Sequence, residues 1–259
     1  MSLFPYYGGK GSLVGRYPGP HYDTIIEPFA GGANYALRHG ERRDVLLYDV
    51  DERIVAVWRW LLAATRAEVL DLPVLGRGEY LDSVAGLSGP ERWFLALWAE
   101  PGSMKAWRST KVTQRGATAG WAQARERVAD QLDRIRHWRC EVGTYDVAPD
   151  VTATWFIDPP YQGGASLAGA GYHHGRARID YSQLAAWTRA RRGQVIACDH
   201  EDATWLPFRP LIARQNQANV EDRDELVYLQ GPQPMTDRLG RPQRRRRPGE
   251  MIMRYGGDR

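Results

Sequence analysis

A strand, a glycine corner, a helix and a second strand follow one another early in the chain, and this order constrains the fold most strongly. Residues 24–27 predict a short buried strand, Gly31 stands in the turn after it, and a helix through Leu37 follows. Residues 44–48 predict the next strand. Strands that alternate with helices in this way are typical of an α/β protein with a parallel sheet.

Two residues of this unit predict a nucleoside ligand. Gly31 lets the chain turn sharply and approach a ligand closely. Asp49 ends the second strand, where a carboxylate commonly accepts both hydroxyls of a ribose. The glycines alone fit a structural corner equally well. The chain contains no Gly-x-x-x-x-Gly-Lys-Ser/Thr loop, and the turn departs from Gly-x-Gly-x-x-Gly, so the pattern disfavours ATP and dinucleotides.

A second motif, Asp158-Pro159-Pro160-Tyr161, follows the apolar residues 154–157 and predicts a pocket for a planar amine. The two prolines end the sheet ladder, because proline has no backbone donor. Asp158 and the Pro159 carbonyl could each accept a hydrogen of the amine, and the Tyr161 ring could lie on a flat heterocycle. A tight turn after a buried strand is the alternative interpretation.

With these motifs, the chain resembles the DNA adenine methyltransferases, the Dam-like enzymes that use S-adenosylmethionine. Residues 4–10, Phe-Pro-Tyr-Tyr-Gly-Gly-Lys, are similar to the N-terminal cofactor motif of that family. Residues 27–33 resemble its glycine turn, residues 48–51 its ribose-binding motif and residues 158–161 its catalytic motif. Residues 194–208 look most like members carried by bacteriophages.

The resemblance implies a Rossmann-like methyltransferase sheet, and it assigns roles to the matching residues. The expected cofactor-binding residues are Tyr6, Tyr7, Lys10, Glu27, Phe29, Ala30, Gly31, Asp49, Val50 and Asp158. The expected catalytic residues are Asp158, Pro159, Pro160 and Tyr161. The implied reaction moves a methyl group from S-adenosyl-L-methionine to the N6 amine of an adenine flipped out of the duplex. The product is S-adenosyl-L-homocysteine, and no metal is expected.

The chain is predicted to divide into a split catalytic domain, residues 1–65 and 147–259, and an inserted helical DNA-recognition region, residues 66–146. Cations alternate with aromatics inside the insertion, a mixture that suits phosphates and stacked bases. The candidates for DNA contact are Lys105, Arg108, Lys111, Arg115 and Trp121. The glycine-rich residues after Tyr161 could close over a base or form a surface connection. The basic residues 241–247 could hold phosphates or remain solvated.

Composition limits the classes of protein. No apolar run is long enough to span a bilayer, and two cysteines without an N-terminal leader disfavour a secreted disulfide scaffold. We therefore expect a cytoplasmic protein of a bacterium or a phage-infected host cell. The net charge of +4 fits double-stranded DNA as the partner. We expect a monomer or weak dimer, with any restriction endonuclease being a separate protein.

Three alternatives remain open on the sequence alone. The first is a methyltransferase for another planar amine, such as cytosine N4, RNA adenine or a glutamine amide. The second is a DNA-binding relative without catalysis, although Asp49 and Asp158 are both present. The third is a fusion to a restriction endonuclease, for which the motifs leave little chain.

Overall fold

The computed structural model describes residues 2–101, 112, 120–162, 179–211 and 225–233. Within these ranges the protein is an α/β structure, as predicted, and its one sheet is mixed rather than wholly parallel. The strands are β1 (Thr24–Glu27), β2 (Asp44–Asp49), β3 (Arg139–Val142), β4 (Ala153–Ile157), β5 (Gly193–His200), β6 (Arg209–Pro210) and β7 (Glu225–Gln230). The helices are α1 (Asn34–His39), α2 (Glu52–Ala63), α3 (Arg66–Asp71), α4 (Gly89–Ala99), α5 (Ala122–Ala129) and α6 (Tyr181–Arg189).

The strand order is β3-β2-β1-β4-β5-β7-β6. Strands β1 to β5 pair with one another in parallel. Strand β7 runs antiparallel to both β5 and β6. The order therefore differs from the common doubly wound order 3-2-1-4-5-6 by one antiparallel strand next to β5. The chain leaves β1 in one direction to β2 and returns on the other side as β4, which creates a topological switch point between β1 and β4.

Successive residues of the central strands point to opposite faces of the sheet and pack into two hydrophobic cores. Ile25 and Phe156 belong to the core that also contains Trp58 of α2 and Phe94 of α4. Their chain neighbours Ile26 and Trp155 belong to the second core, which also contains Leu184 of α6. Both faces of the sheet are thus covered, as expected for parallel strands.

Side-chain caps fix where the main helices begin. The Asp51 carboxylate accepts from the Arg53 backbone N–H at 3.0 Å at the start of α2, and Asp180 caps α6 in the same way. Ser88 and Glu91 form a capping box at α4. The hydrophobic periodicity of the sequence also predicts helices at residues 53–65, 90–98 and 181–192, and the observed ends lie within three residues of these bounds.

The inserted region is more closely joined to the sheet than the sequence suggests. Strand β3 lies within the range 66–146 assigned to the insertion, yet it pairs with β2 and belongs to the sheet. The insertion therefore ends before Arg139. Its apolar stripe, Val128, Leu132 and Ile135, is buried in the core shared with α2, although α5 ends at Ala129 and a short 3-10 turn follows.

Trp121 corrects one of the predicted DNA contacts. Its side chain is only 2% exposed and packs against Phe94 and Trp98, with ring centroids at 5.2 Å and 5.6 Å. An indole held in this way is not available for stacking on a base. The mixture of tryptophan and cations that suggested nucleic-acid contact thus includes at least one residue with a core role.

Several predicted features lie outside the described residues. These are the DNA-contact candidates Lys105, Arg108, Lys111 and Arg115, the glycine-rich stretch from residue 163, and the basic residues 241–247. In the part of the chain that the structure describes, no helix has the length and apolar character needed to cross a membrane.

Candidate ligand-binding site

A cavity of about 670 Å³ opens at the carboxyl ends of β1, β2 and β4, beside the topological switch point. This is the edge at which ligands bind in open α/β sheets. All of the residues assigned to cofactor binding and catalysis line it, namely Tyr6, Tyr7, Lys10, Glu27, Phe29, Ala30, Gly31, Asp49, Val50, Asp158, Pro159, Pro160 and Tyr161. Four motifs that are far apart in sequence therefore form one site.

The glycine corner requires a residue without a side chain. Gly31 has a φ of +43°, and a Cβ atom at this position would lie 2.6 Å from the Tyr6 ring. The Trp58 indole N–H donates to the Gly31 carbonyl at 2.8 Å, which connects the turn to α2. Ala33 adopts a φ of +42° just before α1. Backbone sterics and a direct ring contact together fix the shape of this wall of the cavity.

Asp49 is held by backbone donors and retains capacity to accept more. Its Oδ2 accepts from the Gly31 N–H and its Oδ1 from the Asp51 N–H, each at 2.9 Å. Burial raises the pKa of Asp49 to about 6, although these two hydrogen bonds oppose the shift. A backbone hydrogen bond from Val50 also lowers the pKa of Asp49, so three backbone groups act on the carboxylate. An ionised carboxylate offers about four lone pairs, so a hydroxyl donor of a ligand could still bind to it.

Lys10 contacts the predicted catalytic acid directly. Its Nζ lies 2.8 Å from Asp158 Oδ1 and 3.2 Å from the Gly8 carbonyl, and the residue is only 5% exposed. Burial alone lowers the pKa of Lys10, but Asp158 and Glu225 outweigh it and raise the net pKa. Among the described residues, nothing donates to the second oxygen of Asp158. The ion pair therefore leaves Oδ2 free to accept from a ligand.

The two proline carbonyls have different surroundings. The Tyr181 hydroxyl donates to the Pro160 carbonyl, which ties the motif to α6. In the described ranges no group donates to the Pro159 carbonyl. Pro159 O and Asp158 Oδ2 are thus two acceptors in one cavity that the protein itself leaves unsatisfied. This is the donor deficit expected of a pocket for an NH2 group.

Carboxyl groups outnumber cations in the cavity lining. Among the described residues, four carboxyl groups line the cavity with one lysine, Lys10; they belong to Glu27, Asp49, Asp51 and Asp158. Burial, with a smaller contribution from Asp158, raises the pKa of Glu27 to about 8, although the hydrogen bond from the Ala36 N–H opposes this shift. Even with Glu27 protonated near neutral pH, three aspartates line the described cavity with one lysine, which favours a cationic or hydroxyl-rich ligand over a phosphorylated one.

The sequence analysis missed several residues of the lining. Thr144 and Tyr145 follow β3, and the Tyr145 ring lies 5.8 Å from that of Phe29 between centroids. They were overlooked because β3 was assigned to the insertion. The alternation Arg139-Cys140-Glu141-Val142, in which only Cys140 is buried, is the signal of an edge strand that could have located them.

Three further lining residues, Asn34, Ile179 and His200, had no sequence signal of their own. The buried Asn34 Oδ1 accepts no hydrogen bond within the described part of the chain. His200 ends β5, the strand beside β4, and the centroid of its ring lies 6.2 Å from that of Tyr161. The fold brings these side chains to the cavity through strand order, which a local motif does not encode.

Asp199 holds the backbone directly after the Asp158-Pro159-Pro160-Tyr161 motif. This fully buried carboxylate accepts from the Gln162 N–H at 3.2 Å, the His200 N–H at 2.7 Å and the Trp205 indole at 2.6 Å. It thereby joins the residue after Tyr161 to the end of β5. The position of the motif is therefore set from both sides, by Tyr181 and by Asp199.

Comparison with known proteins gives no family for this chain. No protein-family model matches it, and no curated protein matches it. In the described ranges, no group of three or more His, Cys, Asp and Glu side chains is arranged to hold a metal ion.

Proposed function

We propose that the protein is an S-adenosylmethionine-dependent DNA adenine methyltransferase. One observation carries the proposal: the ribose-type acid Asp49, the glycine corner at Gly31 and the two unsatisfied acceptors of Asp158 and Pro159 line one cavity. A nucleoside cofactor and a planar amine can therefore meet there. The sheet order, with its switch point beside this cavity, is compatible with such a reaction.

The cavity fits S-adenosylmethionine in size, charge and donor set. Its volume lies within the range of about 300 to 1,000 Å³ that is usual for small-molecule sites. Asp49 would bind a hydroxyl of the ribose, and the acidic lining would favour the positive sulfonium. Tyr145, Phe29 and Val50 form an apolar wall that suits an adenine ring. When bound, the cofactor would supply the electrophilic methyl group.

The protein's own part in the reaction is to orient the amine. Hydrogen bonds from NH2 to Asp158 Oδ2 and to the Pro159 carbonyl would favour a tetrahedral nitrogen, whose lone pair is no longer delocalised into the ring and can attack the methyl group. The nitrogen becomes acidic as it gains the methyl group, and Asp158 Oδ2 can accept the proton that it loses. Positioning of this kind is worth about 7 to 11 kcal/mol at best. The Tyr161 ring would hold the base by stacking.

Duplex DNA is proposed as the source of the amine on two grounds. The chain has a sequence pI of about 9.1 and a net charge of +4, which suits a polyanion. The Dam-like motifs also occur in family order along the chain. An adenine must leave the base stack to reach such a cavity, at a cost of a few kcal/mol.

The testing experiment is transfer of labelled methyl from S-adenosylmethionine to genomic DNA that lacks methyladenine, followed by mass spectrometry of the nucleosides. Bulk genomic DNA contains every short recognition sequence, so the target site need not be known. We expect N6-methyladenine with the wild type. Asp158→Ala should lower the rate by about 10²- to 10³-fold, because the reacting amine loses an acceptor.

Asp23→Ala is the matched control, since this exposed aspartate directly precedes β1, at the edge of the sheet opposite the cavity. It should keep the wild-type rate. Methylcytosine in place of methyladenine would indicate the cytosine alternative, and label in added RNA or protein would indicate another amine. Wild-type protein that binds cofactor and DNA but transfers no label would contradict catalysis.

A further inference from the structure

Glu225 reaches the amine pocket from a part of the chain that no motif assigned to the site. It begins β7, where it pairs with His200 across the antiparallel ladder. Its carboxylate is nearly buried and accepts from the Tyr161 hydroxyl with both oxygens, at 3.0 Å and 2.9 Å. The Tyr17 hydroxyl donates to the same group. Two phenols thus satisfy a carboxylate that would otherwise be costly to bury.

The Tyr161 ring is restrained at two points. Its hydroxyl is tied to Glu225, and the Lys10 ammonium lies over the ring at 4.5 Å from the centroid. A cation at this distance is attracted by the ring and occupies one of its faces. The position of the ring against a substrate base is therefore set by Glu225 and Lys10 together, rather than by Tyr161 alone.

The Lys10 ammonium lies between two carboxylates. It is 2.8 Å from Asp158 Oδ1 and 4.0 Å from Glu225 Oε1. With the Gly8 carbonyl at 3.2 Å, these groups surround the three donors of the ammonium. Any shift of Lys10 toward Asp158 or away from it would move the carboxylate that is proposed to hold the amine.

We propose that Glu225 is a positioning residue of the amine pocket, which holds the Tyr161 ring and the Lys10 ammonium in register with Asp158. It touches neither the amine nor the cofactor in this scheme. Its kinetic consequence rests on the proposed methyltransferase function, whereas its effect on Lys10 does not. The two consequences can therefore be tested separately.

The test uses Glu225→Gln in the full-length protein. The substitution keeps the shape, removes the charge beside Lys10, and replaces one acceptor of the Tyr161 hydroxyl by an amide donor. Methyl transfer to unmethylated genomic DNA should slow by about 10- to 100-fold in kcat, as expected for a small misplacement of reacting groups. KM for DNA and the Kd for S-adenosylmethionine should stay within about twofold, because positioning affects the chemical step.

Two variants control for a merely structural effect. Glu41→Gln removes an exposed carboxylate that pairs with Arg134, and it should keep the wild-type rate. Tyr161→Phe removes the hydroxyl that Glu225 holds. The double variant Glu225→Gln with Tyr161→Phe should be no slower than the slower single variant, because the two residues act as a unit.

A spectroscopic arm is independent of catalysis. The chain contains three lysines, Lys10, Lys105 and Lys111, so selective ¹⁵N labelling of lysine gives few ammonium signals. The buried, ion-paired Lys10 should give a signal protected from solvent exchange, assigned through its loss in Lys10→Arg. Glu225→Gln should shift or abolish this signal, and Glu41→Gln should leave it in place.

The outcomes separate the two proposals. A slower kcat with an altered Lys10 signal supports the positioning role. A wild-type kcat in Glu225→Gln, rate losses that multiply in the double variant, or an unchanged Lys10 signal each overturns it. If wild-type protein methylates no DNA, the proposed function fails, and the Lys10 signal alone then decides whether Glu225 positions this cluster.

Discussion

At the scale of single residues, Gly31 meets two constraints at once, a left-handed backbone and a ring contact. Gly86 offers a comparison, because its φ is +83° but a Cβ there would meet nothing within 4 Å. We expect Gly86→Ala to cost about 1 to 3 kcal/mol from backbone conformation alone. Gly31→Ala should cost more, since the added methyl collides with Tyr6.

Urea unfolding of both variants and calorimetry with S-adenosylmethionine measure these effects. Gly31→Ala should also weaken cofactor binding, because the Tyr6 ring must move within the cavity wall, whereas Gly86→Ala should bind normally. Equal losses of stability in the two variants, with equal binding, would contradict a special role of the Tyr6 contact.

Glu27 predicts how stability depends on pH. Its pKa is raised from 4.5 in the unfolded chain to about 8 in the folded protein, chiefly by burial. A folded state that holds the proton more tightly loses stability as pH rises through this window. Asp49 acts in the same direction only up to about pH 6, and His39, whose pKa burial lowers to about 4, acts in the opposite direction until about pH 6.5. The fall expected from Glu27 is therefore clearest between about pH 7 and 8.

Glu27→Gln resembles the protonated side chain and should remove most of that fall in unfolding free energy between about pH 7 and 8. Denaturant unfolding at several pH values checks this expectation, with the exposed Glu201→Gln as the control. A Glu27→Gln protein with the same pH slope as the wild type would show that Glu27 is already ionised in the folded state.

At the scale of elements, the position of the motif at residues 158–161 depends on Asp199, near the end of β5. Asp199 accepts three N–H groups with two oxygens, so an amide at this position must turn one NH2 toward a donor. Asp199→Asn should therefore cost about 1 to 3 kcal/mol of stability and slow methyl transfer.

Thermal unfolding and the labelled-methyl assay measure both effects. Asp202→Asn provides the comparison, because Asp202 lies three residues further along, in the turn after β5, with an exposed side chain. If Asp199→Asn matched Asp202→Asn in both measurements, the buried carboxylate would not be holding Gln162 in place.

The elements themselves were largely predictable, because each has a local signal. Short apolar runs predicted β1 and β4, and apolar residues at helical spacing predicted α2. The proline at the start of α4 marked where that helix begins. Strand β3 was not predicted, since its four residues include two charged ones and only Cys140 is buried. The β6 strand, two residues long, has no periodicity at all.

At the scale of the whole molecule, the motifs predicted which side chains share a cavity but not how they contact one another. Asp49, Gly31 and Asp158 each follow a parallel strand, so their convergence follows from the sheet. The pairing of Lys10 with Asp158 and Glu225 did not follow. Glu225 starts an antiparallel strand whose place in the sheet depends on long-range pairing rather than on local pattern.

The net charge predicts the salt dependence of DNA binding. Each phosphate neutralised by the protein should contribute about −0.9 to the slope of log K against log salt for duplex DNA. Fluorescence anisotropy of a labelled duplex between about 50 and 200 mM salt measures this slope. Serum albumin serves as a reference protein that does not bind the duplex. A slope near zero would contradict an ionic interface and weaken the choice of DNA as substrate.

The bond between Tyr17 and Glu225 spans 208 positions of the chain, and it has a consequence during synthesis. At about 5 to 20 residues per second, the ribosome needs roughly 10 to 40 s to pass from one partner to the other. Throughout that interval the nascent N-terminal segment carries Tyr17 and Lys10 without the carboxylate that joins them. The pocket is therefore finished only when β7 has emerged, and a polypeptide stalled before β7 should remain inactive.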